Sequence, residues 1–466
     1  MPDTQFNPGS ADIVEAIMTS HDGSNSQNIT AQITKFSLSQ SMTAMSYSGT
    51  LTLLDGISLF EGFPIRGEET ITLKLQGHDL NTEVNIKVHA YSIDNITVDE
   101  ASSKLLFNIN FVSNLTYKAS TRRIIKAFQR KSIDQIVRML FNTYYGSLGK
   151  KEYLDPVTKR TLEYGAYVMP ITEEEDRNFI LQPTTNMTNC TIPNYLPTEA
   201  MNFLQNQSYQ PETPSCSFKF FETLDNFYFC TDEYFIKTAQ RKEIIDLFYS
   251  PASSNDPRKP LDQINRIEDI TIINKGLNTA ADMLSGGYKS KTTEIDLIRR
   301  KIITKVFTYD NDKDAKFIDM SGSPRNIADD THTSEFRKDT FTDENAKDFL
   351  VFKDYQQNGD IPSSLHTDRF MPQIIANRLA YKHHLGKTVL AAKMKGRLDI
   401  RPGMIVNLDI TNLDGVASNP ERNQTMSGKY LVEAVNHNRD DKGTLHCGLR
   451  LQKFGWSRGE VDVWLW

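Results

Sequence analysis

The sequence predicts an α+β fold, mainly β: two similar small antiparallel β-barrels with helix-containing insertions. Three observations carry that expectation. Short runs of alternating apolar and polar residues cluster early in the chain and again near its end. Between the clusters the apolar spacing switches to the helical period. The two clusters also share an order of strand, turn and strand, which is the grammar of a repeated module.

Residues 1–25 are polar and contain Gly, Ser and Asn, so an extended arm is expected there. ITAQITKFSLS then carries Ile29, Ala31 and Ile33 in one phase and Phe36 and Leu38 in the other. Such a change of phase predicts a bulge or a bend. TITLKLQ alternates through Ile71, Leu73 and Leu75, EVNIKVHAYSI through Val84, Ile86, Val88 and Ala90, and KLLFNINFVSN through Leu105, Phe107, Ile109 and Phe111. Side chains two apart share a face, so these are half-buried strands.

After Tyr117 the period changes. Ser132 is placed as an N-cap with Asp134 in the first turn, and Ile133, Ile136, Val137, Leu140 and Phe141 recur at helical spacing before Gly146. PTEAMNFLQNQSYQ predicts a second helix, starting at Pro197 with Thr198 or Asn194 near its cap. CSFKFFETLDNFYFCTDEYF predicts a hairpin turning near Asp225-Asn226, whereas Gly149 to Asn194 is expected to be mostly loop. RIEDITIINKG is a further strand, and NTAADMLS a helical turn. GGYKSKTTEIDLIRRKIITKVFTYD fits a helix or a pair of strands, with Ile302 to Phe307 favouring strand. Tyr309 to Phe370 is the most polar stretch, with TDENAKDFLVFKDY as a short helix.

LGKTVLAAKMKGRLDIRPGMIVNLDI contains Gly-Lys-Thr, the tail of a phosphate-binding loop. The full signature needs a glycine five positions before Gly386, after a strand and opening a helix. Tyr381 stands at that position, the preceding segment from Pro372 to Leu385 is helical, and the residues after Gly386 read as a strand. Helix, glycine, strand is the reverse order, so Gly386 is expected to end a helix in the left-handed conformation. LDIRPGMIVNLDI parallels the earlier FPIRGEETITLKL, and GKYLVEAVNHNRDDKGTLHCGLRL parallels EVNIKVHAYSIDNITVDEASSKLLFNIN.

These patterns give an expected organisation. Residues 1–117 form the first barrel with its arm, and 118–260 an α+β insertion domain. Segments 261–308 and 386–455 form the second barrel, 309–385 a polar insertion ending in the helix 372–385, and 456–466 a tail.

With 466 residues the chain has room for about three domains. Apolar residues are 38% and charged residues 24%, and the net charge of −6 does not favour nucleic acid or an anionic membrane. No basic segment precedes an apolar run at the N-terminus and no window approaches a membrane span. Cys190, Cys216, Cys230 and Cys447 form no C-x-x-C pair, and Cys216 and Cys230 are expected in strands as buried thiols.

Chemistry is sparse. His383-His384 is the only adjacent His pair, and its rings diverge by about 100° on a helix, so a solvent-facing pair is expected. No G-x-S-x-G, H-E-x-x-H or kinase set is present, and EEED at Glu173 to Asp176 reads as a solvated face. No catalytic residue, cofactor or metal ligand is singled out. Lys118, Arg122, Arg123, Lys126, Arg130 and Lys131 form a basic stretch without an acid. It suits phosphates, an acidic partner surface or solvent, and lacks the interleaved aromatics of single-strand binders. The terminus FGWSRGEVDVWLW is apolar on both alternations, so Trp456, Trp464 and Trp466 either dock on the chain's own core or anchor an assembly. Arg122, Arg123, Lys126, Arg130 and the three Trp are the interface candidates.

Taken together the segments resemble the central baseplate hub protein of contractile-tailed bacteriophages. The matching stretches are ITKFSLSQSMTAMSYSGTLTLLDG, EETITLKL and the helix SIDQIVRMLFNTYY, followed by IIANRLAYKHHLGKTVLAAKMKGRLDIRPGMIVNL and GKYLVEAVNHNRDDKGTLHCGLRLQ. Arg401-Pro402-Gly403 lies in the most specific part, and the loops near 149–190 and 309–370 are longer than the familiar pattern. The resemblance implies a non-enzymatic structural virion protein: a homotrimer whose paired barrels present a pseudo-sixfold ring. That ring would adapt a sixfold tail tube protein to a threefold spike protein, touch other baseplate proteins and leave open contact with a tape-measure protein. It implies assembly in the host bacterial cytoplasm into the tail baseplate of the virion, with no membrane insertion by this chain. A fused spike would need a further β-helical segment, so the spike is expected to be separate. The alternatives are a tail-associated hydrolase acting on cell-wall polysaccharide or peptidoglycan, and a nucleic-acid module using residues 118–131.

Overall fold

The computed structural model describes residues 11–63, 65–77, 82–99, 104–149, 153–154, 165–172, 177–239, 244–249, 264–274, 289–296, 300–308, 317–318, 320, 324–325, 347–352, 365–386, 388–411, 423 and 426–453. The first module consists of β1 (Ala11–Thr19), β2 (Ser26–Asn28), β3 (Ile33–Ser41), β4 (Ser48–Asp55), the single-turn α1 (Leu59–Gly62), β5 (Thr70–Gly77), β6 (Thr82–Asp99) and β7 (Lys104–Ser113). Next come α2 (Asn114–Ser120), β8 (Ile124–Ser132), α3 (Ile133–Tyr144), β9 (Tyr153–Leu154), β10 (Tyr167–Pro170), β11 (Asn178–Leu181), β12 (Met187–Tyr195), α4 (Pro197–Gln207), β13 (Lys219–Glu222), β14 (Asn226–Cys230) and α5 (Asp232–Ala239). The remainder is β15 (Ile245–Tyr249), β16 (Arg266–Asn274), β17 (Lys289–Asp296), β18 (Lys301–Thr308), β19 (Phe317–Ile318), β20 (Pro324–Arg325), β21 (Lys347–Phe352), α6 (Thr367–Leu385), β22 (Thr388–Lys395), β23 (Ile405–Ile410), β24 (Gly428–Arg439) and β25 (Leu445–Lys453).

Six strands near the C-terminus close on themselves in the order β15-β23-β24-β25-β22-β16, with β16 pairing back to β15. The first module runs β1-β5-β6-β7-β4-β3. Numbered from first to sixth along the chain, both modules therefore follow the order 1-4-5-6-3-2. The correspondence extends to irregularities. A bulge interrupts β3 between Ile33 and Lys35, where the phase change in the sequence predicts one, and β16 between Ile267 and Asp269. Another interrupts β6 between Ala90 and Ser92, and β24 between Val432 and Ala434.

The modules differ in their opening strand. β1 is antiparallel to β5, whereas β15 is parallel to both β23 and β16. β1 reaches β3 through the short turn before it, where the Ile29 amide donates to the Ala16 carbonyl at 2.9 Å and the Ala16 amide to Thr30 Oγ1 at 2.8 Å. Each interior is filled from inward-facing alternate residues. Leu38, Leu51, Leu73, Val88, Phe107, Ile109 and Phe111 are buried in the first module, and Leu390, Met394, Val406, Leu408, Val432 and Leu451 in the second.

Between the modules, α3 and α4 cover a mixed sheet ordered β13-β14-β11-β10-β9. Phe141 stacks on Phe179 at 4.1 Å and meets Phe227 edge-on at 5.0 Å, so aromatic area supplies the core that a polar chain otherwise lacks. The hairpin at Asp225-Asn226 forms as expected, β13 pairing antiparallel with β14.

Several expectations change. Ala11–Thr19, expected within an extended arm, is a ladder strand whose Ala11, Ala16 and Met18 are buried. The loop expected over 149–194 contains β9, β10, β11 and β12, because partners distant in sequence, β14 and β8, complete their ladders. Lys289–Thr308, expected in the second barrel, instead pairs with β21 in a separate sheet, and Ile245–Tyr249, allotted to the insertion, joins the barrel. Lys347–Phe352, expected to be helical, is β21 itself. Helix α6 starts at Thr367, with Pro372 inside it rather than at its head. Gly386 does end that helix, but at φ −79, so helix termination here does not use the left-handed region. Cys216 lies outside any strand, and all four cysteines are buried and none forms a disulfide. The turn expected at NTAADMLS, the EEED run, and Trp456, Trp464 and Trp466 lie outside the described residues.

Candidate assembly surfaces

The basic stretch is divided between elements. Lys118 ends α2, Arg122 and Arg123 occupy the following turn, and Lys126, Arg130 and Lys131 lie on β8. β8 and β12 form a two-stranded ribbon of their own. Arg122, Arg123, Lys126 and Arg130 are exposed along it, and Ile125 between them is 78% exposed. Arg123 donates to the Asn194 carbonyl at 3.0 Å, and the Lys126 ammonium sits 5.5 Å from the Phe128 ring. The four arginine and lysine candidates thus lie on one ribbon and the turn leading into it, around the exposed Ile125.

His383 and His384 do not form a solvent-facing pair: His383 is half-buried and His384 is buried. Among the described residues, no group of three or more His, Cys, Asp or Glu is placed to hold a metal ion. Nor is any described helix long and apolar enough to cross a membrane.

Sequence reasoning missed the polar joints between modules and insertion. Glu222 at the end of β13 is fully buried and accepts from Ser46 Oγ and Thr116 Oγ1, each at 2.8 Å, and from Ser113 Oγ. Arg177 Nη2 donates to it at 2.6 Å while its guanidinium lies 4.8 Å from the Phe227 ring. This carboxylate fastens the first module to the insertion, and only tertiary structure brings its partners together. Arg401 performs a similar task on the other side. Its Nε donates to Asp225 Oδ2 at 2.9 Å, its Nη2 to Asp225 Oδ1 at 3.3 Å, and its Nη1 to the carbonyls of Leu398 and Ile400. A bidentate pair fixes direction as well as distance. The Arg401-Pro402-Gly403 stretch singled out from the sequence is thus the clamp between the second module and the β13–β14 turn.

The modules themselves meet through a strand pair. The second half of β24 leaves β23 and pairs antiparallel with β3, placing Asn436 opposite Ser39, His437 opposite Leu38 and Asn438 opposite Ser37. His437 is fully buried there, with Nε2 2.9 Å from the Arg397 carbonyl, so this nitrogen carries the hydrogen. Burial, reinforced by the Arg401 charge, pushes its pKa from 6.5 down to about 3.

That junction makes one continuous eight-strand ribbon, β6-β7-β4-β3-β24-β25-β22-β16, antiparallel at every step. One of its faces carries a row of polar side chains. Asn110 Nδ2 donates to Ser92 Oγ at 3.0 Å, and Thr50 and Thr52 donate to Asn110 and Asn108 at 2.9 Å. Ser37 and Ser39 continue the face to Asn438 and Asn436, which lead on to His446, Lys393, Asp269 and Thr271. A groove on it is lined by Ser39, Asp269, Lys393, Asn436 and His446 together with the apolar Ala391, Ala392, Ala434, Val435 and Leu449.

No family model matches the chain, and no curated protein matches it. Among solved structures it is similar to a tail protein from Neisseria meningitidis MC58, at 10% identity and a TM-score of 0.50, covering 95% of this chain and 96% of that one. It is also similar to the 43 kDa tail protein of prophage MuSo2 from Shewanella oneidensis, at 10% identity and a TM-score of 0.49, covering 94% and 98%. A chain of the phage P2 baseplate in its activated conformation is a third neighbour, at 9% identity and a TM-score of 0.31, covering 96% and 99%. What this chain shares with the Neisseria tail protein, over nearly the whole of both chains, is the fold.

Proposed function

We propose that this chain is a structural virion protein, the trimeric hub of a contractile tail baseplate, adapting a sixfold tail tube to a threefold spike. The observation that carries the reading is the repeat: two modules of one strand order, joined into one ribbon. A chain with two near-equivalent units offers six similar seats from three copies, which meets a sixfold ring on one side and a threefold rod on the other. Heterologous contacts of this sort close into rings when the rotation allows it. The insertion, with its basic ribbon of Arg122, Arg123, Lys126 and Arg130, lies outside the repeat and is assigned to spike or neighbouring baseplate proteins. The polar face is assigned to the channel, where a tape-measure protein would pass. In this reading the protein assembles in the bacterial host cytoplasm and ends in the tail.

Multi-angle light scattering of the purified chain, with and without its spike protein, tests the proposal. A mass of three chains is expected. A monomer under both conditions overturns it, as does clearing of peptidoglycan in a zymogram, which belongs to the hydrolase alternative.

A further inference from the structure

The small sheet β18-β17-β21 has one covered face and one open face. Alternate residues of β17, namely Ser290, Thr292, Glu294 and Asp296, are buried. Helix α6 lies against β17 and β18, and Phe307 packs on the cluster that holds Ala376, Ala380, Tyr381 and Leu385 of that helix. Phe307 stands opposite Ser290 in the ladder, so this is the face that the helix covers. On the other face, Ile302 and Phe352 flank Ile295 from either side and make an apolar row across all three strands. Ile302 is 71% exposed and Phe352 60%, with Leu350 at 57% and Val306 at 38% farther along the same face. The charges there already answer one another. Lys291 Nζ lies 3.5 Å from Asp348 Oδ2, and Thr293 Oγ1 donates to Asp348 Oδ1 at 3.0 Å. What the face lacks is an apolar cover.

We propose that residues 461–466 of the same chain are that cover, with the Trp464 and Trp466 rings laid on the row of Ile302, Ile295 and Phe352. The sequence VDVWLW is apolar on both alternations, so it needs a surface to bury against. The alternation that carries the two Trp gains most from burial, since an aromatic ring of this class buries roughly 150–250 Å². The position of the preceding strand fits. β25 runs antiparallel to β22 with Lys453 opposite Thr388, so the chain leaves β25 heading towards Gly386 and the end of α6. Phe307 of the open-faced sheet packs in the same cluster as Leu385, at that end of the helix. Reach is sufficient. Residues 454–466 span up to about 43 Å when extended, at roughly 3.3 Å per residue. Helix α6, with 19 residues, is only about 28 Å long. A tether that starts beside the face gives the tail a high effective concentration there, which a second copy or a separate partner lacks. The tail then completes the chain's own fold and is no anchor for an assembly, whether or not the chain is a hub.

The chain has three Trp, all within residues 454–466, so with Trp456→Phe its tryptophan emission reports on Trp464 and Trp466 alone. Native emission is expected to be blue-shifted from that in urea, with several-fold weaker quenching by acrylamide. Phe352→Asp and Ile302→Asp, both at exposed positions, should each move the emission to the red and restore quenching. Ile57→Asp, at an exposed apolar residue elsewhere, should change neither. Native emission equal to that in urea overturns the proposal. So does blue-shifted emission indifferent to both face substitutions, which would seat the tail on another surface. A second measurement identifies whose tail it is. Thr304→Cys and Asp462→Cys are introduced together into the full-length chain, whose own cysteines are all buried. A short bismaleimide should bridge them within one chain, giving a linked peptide pair with no multiple-chain band on a denaturing gel. Bands of two or more chains, or no bridge at all, overturn docking on the chain's own face.

Discussion

At the residue scale the informative positions are buried polar groups that local sequence does not announce. Removing Glu222 takes the carboxylate from Arg177 and this acceptor from the hydroxyls of Ser113 and Thr116. Glu222→Ala is therefore expected to cost about 3–5 kcal/mol in chemical denaturation, the range for breaking a buried pair. Glu233 gives a pH signature. It is fully buried, accepts from the amides of Ser215 at 3.1 Å and Ile318 at 2.9 Å, and burial raises its carboxyl from 4.5 to about 7 despite those bonds. Between those two values the folded chain holds a proton that the unfolded chain has released, so this group's contribution falls as pH rises from 4.5 to 7. His437 acts in the opposite direction. Its folded pKa of about 3 lies below the ordinary 6.5, so stability is lost as pH falls from 6.5 towards 3. Melting curves of His437→Gln against the native chain isolate the second effect: the variant should lose less stability on acidification, by up to about 1.4 kcal/mol per pH unit. Equal slopes would remove His437 as the cause.

At the scale of elements, the sequence's grammar of caps and turns was legible and its chemistry was partly elsewhere. Helix α3 begins after Ser132 as expected, but Ser132 makes no side-chain cap bond. Thr184, on a connection distant in sequence, takes that place: its Oγ1 accepts from the Asp134 amide at 3.1 Å and donates to Asp134 Oδ1 at 2.9 Å. Thr184→Val is accordingly expected to destabilise by about 1 kcal/mol, and Ser132→Ala by only a few tenths. The reverse ranking in urea titrations would restore the local cap. Helix α4 shows the same substitution, with Glu199 reaching back to the Leu196 amide at 2.8 Å in place of a Thr198 or Asn194 cap. The paralleled turns of the two modules do agree with their sequences. Gly67 and Gly403, which precede β5 and β23, have φ of +82 and +89. An added Cβ at Gly403 would also meet the Phe235 ring at 2.9 Å, whereas at Gly67 the nearest atom is the Tyr91 carbonyl oxygen at 3.3 Å. Gly403→Ala should therefore lower the melting temperature more than Gly67→Ala, both through strain and the former through a clash as well.

At the scale of the whole molecule the question is how many copies associate. A single chain leaves apolar residues on two strand edges, which is costly in water at about 25 cal/mol per Å² of apolar area. The hub proposal predicts association of three copies, so the mass in solution is its most direct measure. Under the hub proposal trimer mass is expected to persist in high salt, because apolar contacts are screened little, unlike contacts of the Lys126–Arg130 ribbon. Dissociation by salt alone would move the interface to the basic ribbon.

The sequence by itself determined the strands whose partners lie nearby and whose faces differ in polarity. The alternation through Leu73, Val88, Phe107 and Ile109 and the paired LDIRPG and FPIRGE turns set β5, β6, β7, β23 and their neighbours, because a period of two is written in consecutive residues. It equally determined that two segments would share one layout. Only the tertiary structure decided the rest: that Ala11–Thr19 is a ladder strand, that β15 enters the second module reversed, that 149–194 is sheet, and that β24 continues onto β3. These depend on partners tens to hundreds of residues away. A strand edge, unlike a strand face, leaves no pattern in the side chains, since its hydrogen bonds are made by backbone that every residue carries alike.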